Sequence, residues 1–194
     1  MTPSSAPDHQ ISVRDRIDVL LAEYGTMYAL AEFRMNSLDK RVPAAGAALV
    51  AFLGGVPAVP QSTAWLLLVV IPASLIWFLR TTVNHARSFE DAIRRIEEIE
   101  RDLNALAGAV LVRFQSTHPS KGRAVGGRTG AETVLAVLLA SFILLGASLV
   151  LASAAYDSSD ALNFYRAFVL SVALHHGWVT FRWARYRYRA ELSE

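Results

Sequence analysis

The chain of 194 residues contains no cysteine, which excludes disulfide bonds and thiolate metal sites. Its histidines do not offer a metal site either, because the adjacent His175 and His176 would point about 100° apart on a helix. The basic, glycine-rich segment 115–130 lacks the lysine and Ser/Thr spacing of a phosphate-binding P-loop. The sequence therefore predicts no metal and no cofactor.

Charge is absent from two long stretches, residues 42–79 and 133–156. A helix needs about 20 apolar residues to cross a bilayer core of about 30 Å. The first stretch is nearly twice that long, and Pro57, Pro60 and the polar residues 61–63 indicate a turn in its middle. We therefore expect a hairpin of two spans, roughly 43–59 and 63–80, followed by a third span at 132–154 and a fourth at 161–181.

Two amphipathic segments flank the first hairpin, and each has an apolar seam with alternating steps of three and four residues, as in a coiled coil. The first seam contains Ile17, Leu21, Tyr24, Tyr28, Ala31, Met35 and Leu38. The second contains Phe89, Ala92, Ile96, Ile99, Leu103, Leu106 and Val110. Ser12 and Asp15 predict a capping box at the start of the first helix. Because both segments adjoin the same hairpin, we expect an antiparallel stalk, closed either within one chain or between chains.

The predicted fold is an all-α membrane protein with four transmembrane helices in two hairpins and a cytoplasmic antiparallel coiled-coil stalk. Its predicted parts are a flexible N-terminus (1–11), a cytoplasmic helix (12–41), hairpin 1 (42–82), a second cytoplasmic helix (83–114), a basic linker (115–130), hairpin 2 (131–183) and a basic tail (184–194).

The first ten residues lack the apolar region of a signal peptide, so the first span is expected to be an uncleaved anchor. Lys and Arg flank the spans on the side of both termini, whereas the connections "PAVPQSTA" and "YDSSDALN" have neither. The positive-inside rule then places both termini and the central region of a multi-pass membrane protein in the cytoplasm.

Arginines alternate with aromatic residues in the terminal string "FRWARYRYRAELSE". Where a helix leaves the membrane, this pattern is typical of an aromatic belt beside positive charge. The same residue types also form stacking platforms for nucleotides or single-stranded nucleic acid. On the second interpretation, the candidate ligand-binding residues are Arg182, Trp183, Arg185, Tyr186, Arg187 and Arg189, with Arg123 and Arg128 of the linker.

Small and polar residues recur in threes and fours along the fourth span, at Asn163, Arg166, Leu170, Ala173, Gly177, Thr180 and Ala184. Such a face favours close helix packing. It could instead line an aqueous path, because ionisable groups inside membranes usually face a cavity or a partner. The candidate pore or gate residues are Asn163, Arg166, His176 and Thr180.

An intramembrane serine protease is a third possibility, because Ser148 lies in a GxSx element and His176 lies on another predicted span. The two residues are expected to differ by about 10 Å in depth, which is beyond hydrogen-bond reach. We therefore do not expect an enzyme.

The first 114 residues place a cytoplasmic helix, a two-span hairpin and a charged helix beginning "SFEDAIRRIEEIERDLN" in that order. This arrangement resembles the SLATT-type and related multi-span membrane effectors of bacterial antiviral nucleotide-signalling systems. The resemblance implies a homo-oligomer that forms a pore or disrupts the bilayer under the control of a nucleotide-type signal or a partner protein. The second hairpin departs from the two-span pattern of that group.

Two functions follow as expectations. The first is an oligomeric inner-membrane effector, conducting ions or perturbing the bilayer in antiviral defence under control of a cytoplasmic nucleotide, oligonucleotide or regulatory protein. The second is a non-conducting membrane scaffold whose coiled coil recruits a soluble partner.

Overall fold

A computed structural model describes residues 11–55, 64–115, 117, 125–155 and 158–187 of the chain. All regular secondary structure in these residues is α-helical. The five helices are α1 (Val13–Asp39), α2 (Arg41–Gly55), α3 (Ala64–Ala107), α4 (Gly127–Ala155) and α5 (Ser159–Ala184). The predicted all-α class is therefore confirmed for the described part of the chain.

The N-terminus of α1 has the predicted cap. The Ser12 hydroxyl accepts a hydrogen bond from the Asp15 backbone N–H at 3.1 Å and donates one to the Asp15 carboxylate at 2.7 Å. The first bond gives a partner to a backbone N–H of the first turn that has none within the helix. The negative charge of Asp15 in the first turn also interacts favourably with the helix dipole.

The two charged helices pack against each other in opposite directions and within one chain. Leu20, near the start of α1, packs against Ile99 and Leu103, near the end of α3. Farther along, Ala31 packs against Ala92. We call this pair of α1 and the second half of α3 the stalk, and its seam is closed without a second copy.

The register of the α1 seam differs from the predicted one. Leu21 and Met35 are 51% and 40% exposed. The other predicted seam residues, Ile17, Tyr24, Tyr28, Ala31 and Leu38, are buried or half-buried, and they are joined by Leu20, Met27 and Arg34. Leu20 and Leu21 are both apolar, so the sequence allowed the seam to pass through either residue. Packing against α3 selects Leu20, three residues after Ile17.

The α3 seam is as predicted from Phe89 to Leu106, but the helix ends at Ala107 rather than continuing to residue 114. Gly108 adopts a positive φ of 66°, the left-handed conformation that ends helices and favours glycine. The Asn104 side chain then accepts hydrogen bonds from the backbone N–H groups of Leu111 and Val112 at 2.8 and 3.0 Å. Val110 is consequently outside the seam and 70% exposed.

Polar contacts join the two helices of the stalk beside the apolar seam. Arg95 donates to both carboxylate oxygens of Glu23, at 2.6 and 3.0 Å. The fully buried Glu100 accepts from the Tyr24 hydroxyl at 3.3 Å and from the backbone N–H of Gln115 at 3.1 Å. These contacts favour the observed register of the stalk, because a shift of α1 along α3 would separate Glu23 from Arg95 and the Tyr24 hydroxyl from Glu100.

Below the stalk, α2, the first half of α3, α4 and α5 form a bundle whose members alternate in direction. One core cluster lies at the stalk end and includes Leu38, Leu79, Val134 and Trp183. A second lies at the opposite end and contains Leu68, Leu75, Leu144, Leu145, Ala152, Tyr165, Val169 and Val172. Apolar side chains from several helices therefore fill the interior at both ends of the bundle.

Two helices of the described part are long and apolar enough to cross a membrane, Leu68–Ala107 in α3 and Gly127–Ala154 in α4. The fifteen residues of α2 rise about 22 Å, less than a bilayer core of about 30 Å. The predicted turn between the first two spans, at residues 56–63, lies outside the described residues.

A turn at Lys40 separates α1 from α2, whereas α3 runs without interruption from the bundle into the stalk. Arg41 anchors the start of α2 by donating to the hydroxyls of Thr81 and Thr82 at 2.9 and 3.0 Å. The bundle and the stalk are therefore held together at this level by the unbroken α3 and by a charged side chain from α2.

Candidate anion-binding cleft

A cleft of about 220 Å³ lies between α3 and α5 where the bundle meets the stalk. Its lining residues recur at steps of three or four along each helix, so each helix contributes one face. The residues are Arg80, Val83, Asn84 and Arg87 from α3 and His175, Trp178, Val179 and Arg182 from α5. We call this site the arginine cleft.

The arginine cleft has a strong excess of positive charge. Three guanidinium groups line it, and no carboxylate does. Among the residues that the structure describes, none of Arg80, Arg87 and Arg182 forms a salt bridge. Guanidinium groups present rigid sets of donors that match carboxylate and phosphate oxygens, so the chemistry of the cleft is that of an anion site.

Two of the residues that line the arginine cleft have a buried nitrogen, Arg87 Nε and His175 Nε2, that makes no hydrogen bond within the described part of the chain. Burial, together with the nearby Arg182 guanidinium, lowers the pKa of Arg87. An anion between α3 and α5 would relieve the mutual repulsion of these arginines.

The start of the C-terminal tail docks beside the arginine cleft. The Tyr186 hydroxyl donates a hydrogen bond of 2.6 Å to Asp91, and the Arg87 guanidinium lies 5.2 Å from the centre of the Tyr186 ring. Burial first, and then the hydrogen bond to Asp91, raises the pKa of Tyr186 to about 12. Arg87 therefore both contacts the tail and lines the cleft.

Of the predicted ligand-binding residues, Arg182 lines the cleft, and Arg187 is exposed. Arg185 stacks on Phe181, with its guanidinium carbon 4.1 Å from the ring centre. Arg128 is paired with Glu132 at 2.7 Å. Arg123 and Arg189 lie outside the described residues.

Trp183 is a correction to the predicted stacking platform. Its side chain is 6% exposed and packs in the core cluster with Leu38, Leu79 and Val134. It lies one residue after Arg182, so the helix turns it about 100° away from the cleft and into the bundle. The ring is therefore covered by other side chains of the same chain.

The four predicted pore residues do not share one face in a single chain. Asn163 and Arg166 are exposed on the outside of the bundle, where the Asn163 side-chain oxygen accepts a hydrogen bond from Arg166 at 3.2 Å. His176 is fully buried, with Nδ1 2.8 Å from the carbonyl oxygen of Val172. Thr180 is half-buried. One chain therefore does not assemble these residues around a path.

Ser148, the candidate nucleophile of the protease alternative, is buried and hydrogen-bonded. Ser148 Oγ donates to the carbonyl oxygen of Leu145 at 2.7 Å. His176 contacts Phe142, six residues before Ser148 and about 9 Å away along α4. Within the described residues, no three His, Asp or Glu side chains are grouped so that they could hold a metal.

No family model, curated protein or solved structure matches this chain. The features of the chain that bear on its function are the arginine cleft, the stalk and the surface of the bundle.

Of the eight residues that line the cleft, the sequence reasoning selected only Arg182. It missed Val83, Val179 and five polar or aromatic residues, namely Arg80, Asn84, Arg87, His175 and Trp178. A signal was present, because Arg80 and Arg87 are seven residues apart on α3, as are His175 and Arg182 on α5. Residues seven apart lie two turns apart on one helical face, so two basic faces could have been paired at the same end of the bundle.

Proposed function

We propose that this protein is an oligomeric effector of the bacterial inner membrane. In this proposal the predicted span 43–59, which contains most of α2, crosses the bilayer together with the first half of α3, α4 and α5, forming two hairpins. The stalk projects into the cytoplasm. Conduction of ions, or disruption of the bilayer, is controlled through a cytoplasmic anionic ligand or a partner protein. The antiviral context comes from the resemblance of the first 114 residues to SLATT-type effectors.

The observation that supports this proposal most is the apolar outer surface of the bundle. Large apolar side chains on several helices are exposed although the interior is filled, including Val50 at 75%, Trp77 at 67%, Leu139 at 63% and Leu174 at 67%. Soluble proteins rarely expose apolar patches of this extent, whereas lipid tails are a suitable environment for them.

Basic residues at the stalk end of the bundle support the cytoplasmic orientation. Lys40 and Arg41 lie at the start of α2, Arg80 follows the apolar part of α3, and Arg182 and Arg185 end α5. Such an excess of Lys and Arg beside apolar helices is typical of the cytoplasmic face.

A conducting path in this proposal lies between copies of the protein. The core clusters fill the interior of one bundle, which leaves an outer face of α5 with Asn163, Arg166 and Gly177 as the polar surface available for a shared path. Polar groups within a membrane are stabilised by facing water or a partner helix. The pore therefore requires a homo-oligomer.

The alternative function is a non-conducting scaffold that recruits a soluble partner. The stalk seam is already filled by α1 and α3, so a partner would have to dock on the outside of the stalk. Exposed apolar residues on α1, among them Leu21, Phe33 and Met35, favour this alternative. Its partner would bind equally well to a chain that cannot conduct.

The test is the membrane potential of a bacterial host after induction of the protein. Intact protein is expected to depolarise the cells, and Arg166→Leu is expected to abolish this effect at equal membrane abundance. Leu174→Ala, on the same helix but without loss of a polar group, is the matched control and should still depolarise. An unchanged potential with all three proteins favours the scaffold over a pore that opens on expression alone.

A further inference from the structure

We propose that the arginine cleft binds the phosphate group of an anionic phospholipid of the inner leaflet. This inference rests on the proposed membrane insertion and specifies the ligand of the same site. The shared chemistry of the possible ligands is a phosphate diester, which occurs both in lipid headgroups and in soluble nucleic acids.

The polar lining of the cleft fits a phosphate. Arg80, Arg87 and Arg182 converge on one cavity with no carboxylate in its wall. None of the three forms a salt bridge within the described part of the chain. A phosphate diester carries one negative charge and two free oxygens, which guanidinium groups bind with charge-assisted hydrogen bonds.

The aromatic side chains near the cleft are not arranged to stack nucleobases. Trp183 is buried in the bundle core, and the Tyr186 ring is covered by Arg87 while its hydroxyl is held by Asp91. The Trp178 ring centre lies 5.9 Å from the Arg182 guanidinium carbon and 6.5 Å from the Phe181 ring centre, so Trp178 contacts side chains of its own helix. Single-stranded nucleic acid binds through free aromatic faces, so this site favours a phosphate without a base.

The position of the cleft along the helices favours a lipid as the source of that phosphate. Arg80 is the first charged residue after the charge-free stretch 42–79, so the cleft begins where the apolar part of α3 ends. Leu174, Trp178 and Phe181 of α5 are 67%, 57% and 47% exposed beside it. A headgroup in the cleft would leave its acyl chains against these apolar side chains, at the level where Trp and basic residues meet lipid headgroups.

The experiment uses the full chain purified in a neutral detergent, with thermal unfolding as the readout. Short-chain phosphatidylglycerol, phosphatidylcholine with the same acyl chains, inorganic phosphate and a short oligonucleotide are titrated separately. A ligand that binds only the folded protein raises the melting temperature as its concentration increases. Phosphatidylglycerol is expected to give a saturable rise, and the other three are expected to give much smaller rises at the same concentration.

Arg182→Gln is compared with Arg185→Gln, which removes the same charge three residues later from a side chain that stacks on Phe181 outside the cleft. Arg182→Gln is expected to weaken the apparent affinity for phosphatidylglycerol roughly fivefold, whereas Arg185→Gln changes it little. Arg182→Lys, which keeps the charge, is expected to retain most of the affinity. Equal melting temperatures without lipid show that each variant folds.

Three results would overturn the proposal. They are equal stabilisation by the two lipids, equal effects of Arg182→Gln and Arg185→Gln, or an oligonucleotide effect that exceeds the lipid effect and depends on Arg182. Alkaline extraction of host membranes distinguishes a failure of the lipid-site proposal from a failure of the proposed membrane insertion. A chain released by alkali would contradict membrane insertion, whereas a chain that resists extraction and ignores phosphatidylglycerol contradicts the lipid site alone.

Discussion

Tyr186 donates a 2.6 Å hydrogen bond to Asp91, a residue 95 positions earlier in the chain. This contact joins the end of α5 to the base of the stalk, beside the arginine cleft. Arg87 lies over the Tyr186 ring and also lines the cleft, so occupation of the cleft and docking of the tail share one side chain.

Tyr186→Phe is expected to loosen the tail, because it removes the hydrogen bond and leaves the Asp91 carboxylate without this donor. The cost is about 1 kcal/mol, and trypsin should cleave faster after Arg185 and Arg187. Tyr28→Phe, which alters a hydroxyl in the stalk, is the control and should leave the rate at these sites unchanged. Equal cleavage rates for Tyr186→Phe and the unmodified protein would show that the contact does not hold the tail.

The pH dependence of the same contact follows from the pKa of Tyr186, which burial and Asp91 raise from 10.0 to about 12. The folded state favours the neutral phenol, so the contribution to stability is complete below pH 10 and is lost as the pH rises towards 12. Absorbance titration of phenolate in the intact protein and in Tyr186→Phe should differ by one tyrosine that ionises near pH 12. A difference centred near pH 10 would contradict the buried contact.

The Glu23–Arg95 pair is expected to lose its contribution to stability as the pH falls, whereas the Tyr186 contact loses its contribution as the pH rises. The hydrogen bonds from Arg95 lower the pKa of Glu23 below its ordinary value of 4.5, so the pair stabilises the stalk fully above that pH and progressively less as the pH falls below it. Glu23→Gln should cost about 0.5 to 1 kcal/mol near pH 7 and less in acid, measured by thermal unfolding. Glu32→Gln, at an exposed position of α1, is the control and should be nearly neutral at both pH values.

Small residues set the spacing of the two stalk helices. Ala31 and Ala92 are 5% and 3% exposed in one cluster, so Ala31→Leu adds three carbons where there is little space. We expect a loss of about 1 to 3 kcal/mol in the free energy of unfolding. Ala29→Leu, on the exposed side of α1, should change it little. Equal effects of the two substitutions would mean that the helices do not pack here.

The start of α4 depends on two consecutive glycines with positive φ, which allows a matched comparison. A Cβ at Gly126 would lie 3.0 Å from the backbone oxygen of Ala86, whereas a Cβ at Gly127 would have no atom within 4 Å. Gly127→Ala should cost about 1 kcal/mol through backbone strain alone. Gly126→Ala should cost distinctly more in thermal unfolding, because a backbone contact must also shift. A larger loss of stability for Gly127→Ala than for Gly126→Ala would contradict the close contact of Gly126 with the Ala86 backbone.

The helices of the stalk could be predicted because their apolar residues repeat over many turns, which fixes helix type and direction. The register of α1 could not, since Leu20 and Leu21 are equally apolar and only α3 distinguishes them. The helix end at Ala107 follows from the φ of Gly108 and the Asn104 side chain, although Val110 and Phe114 continue the apolar pattern.

The arginine cleft could be predicted only in part, because its two walls are separated by almost ninety residues of sequence. Arg182 was selected from the density of arginines in the tail, whereas Arg80 and Arg87 were read only as flanking charge. Trp183 shows the reverse error. Its position among arginines suggested a ligand-binding surface. Because it lies one residue after Arg182, about 100° around the helix, its side chain instead packs in the core.

The most direct test of the account is the membrane topology of the bundle, and the absence of cysteine makes it straightforward. Single cysteines are introduced at Ala105, at the tip of the stalk, and at Ser158, at the opposite end of the bundle, both at exposed positions. Intact bacterial spheroplasts are then treated with a membrane-impermeant thiol reagent. The account predicts that Ser158→Cys reacts in intact spheroplasts and that Ala105→Cys reacts only after lysis. Reaction of Ala105→Cys in intact spheroplasts, or protection of Ser158→Cys until lysis, would contradict it.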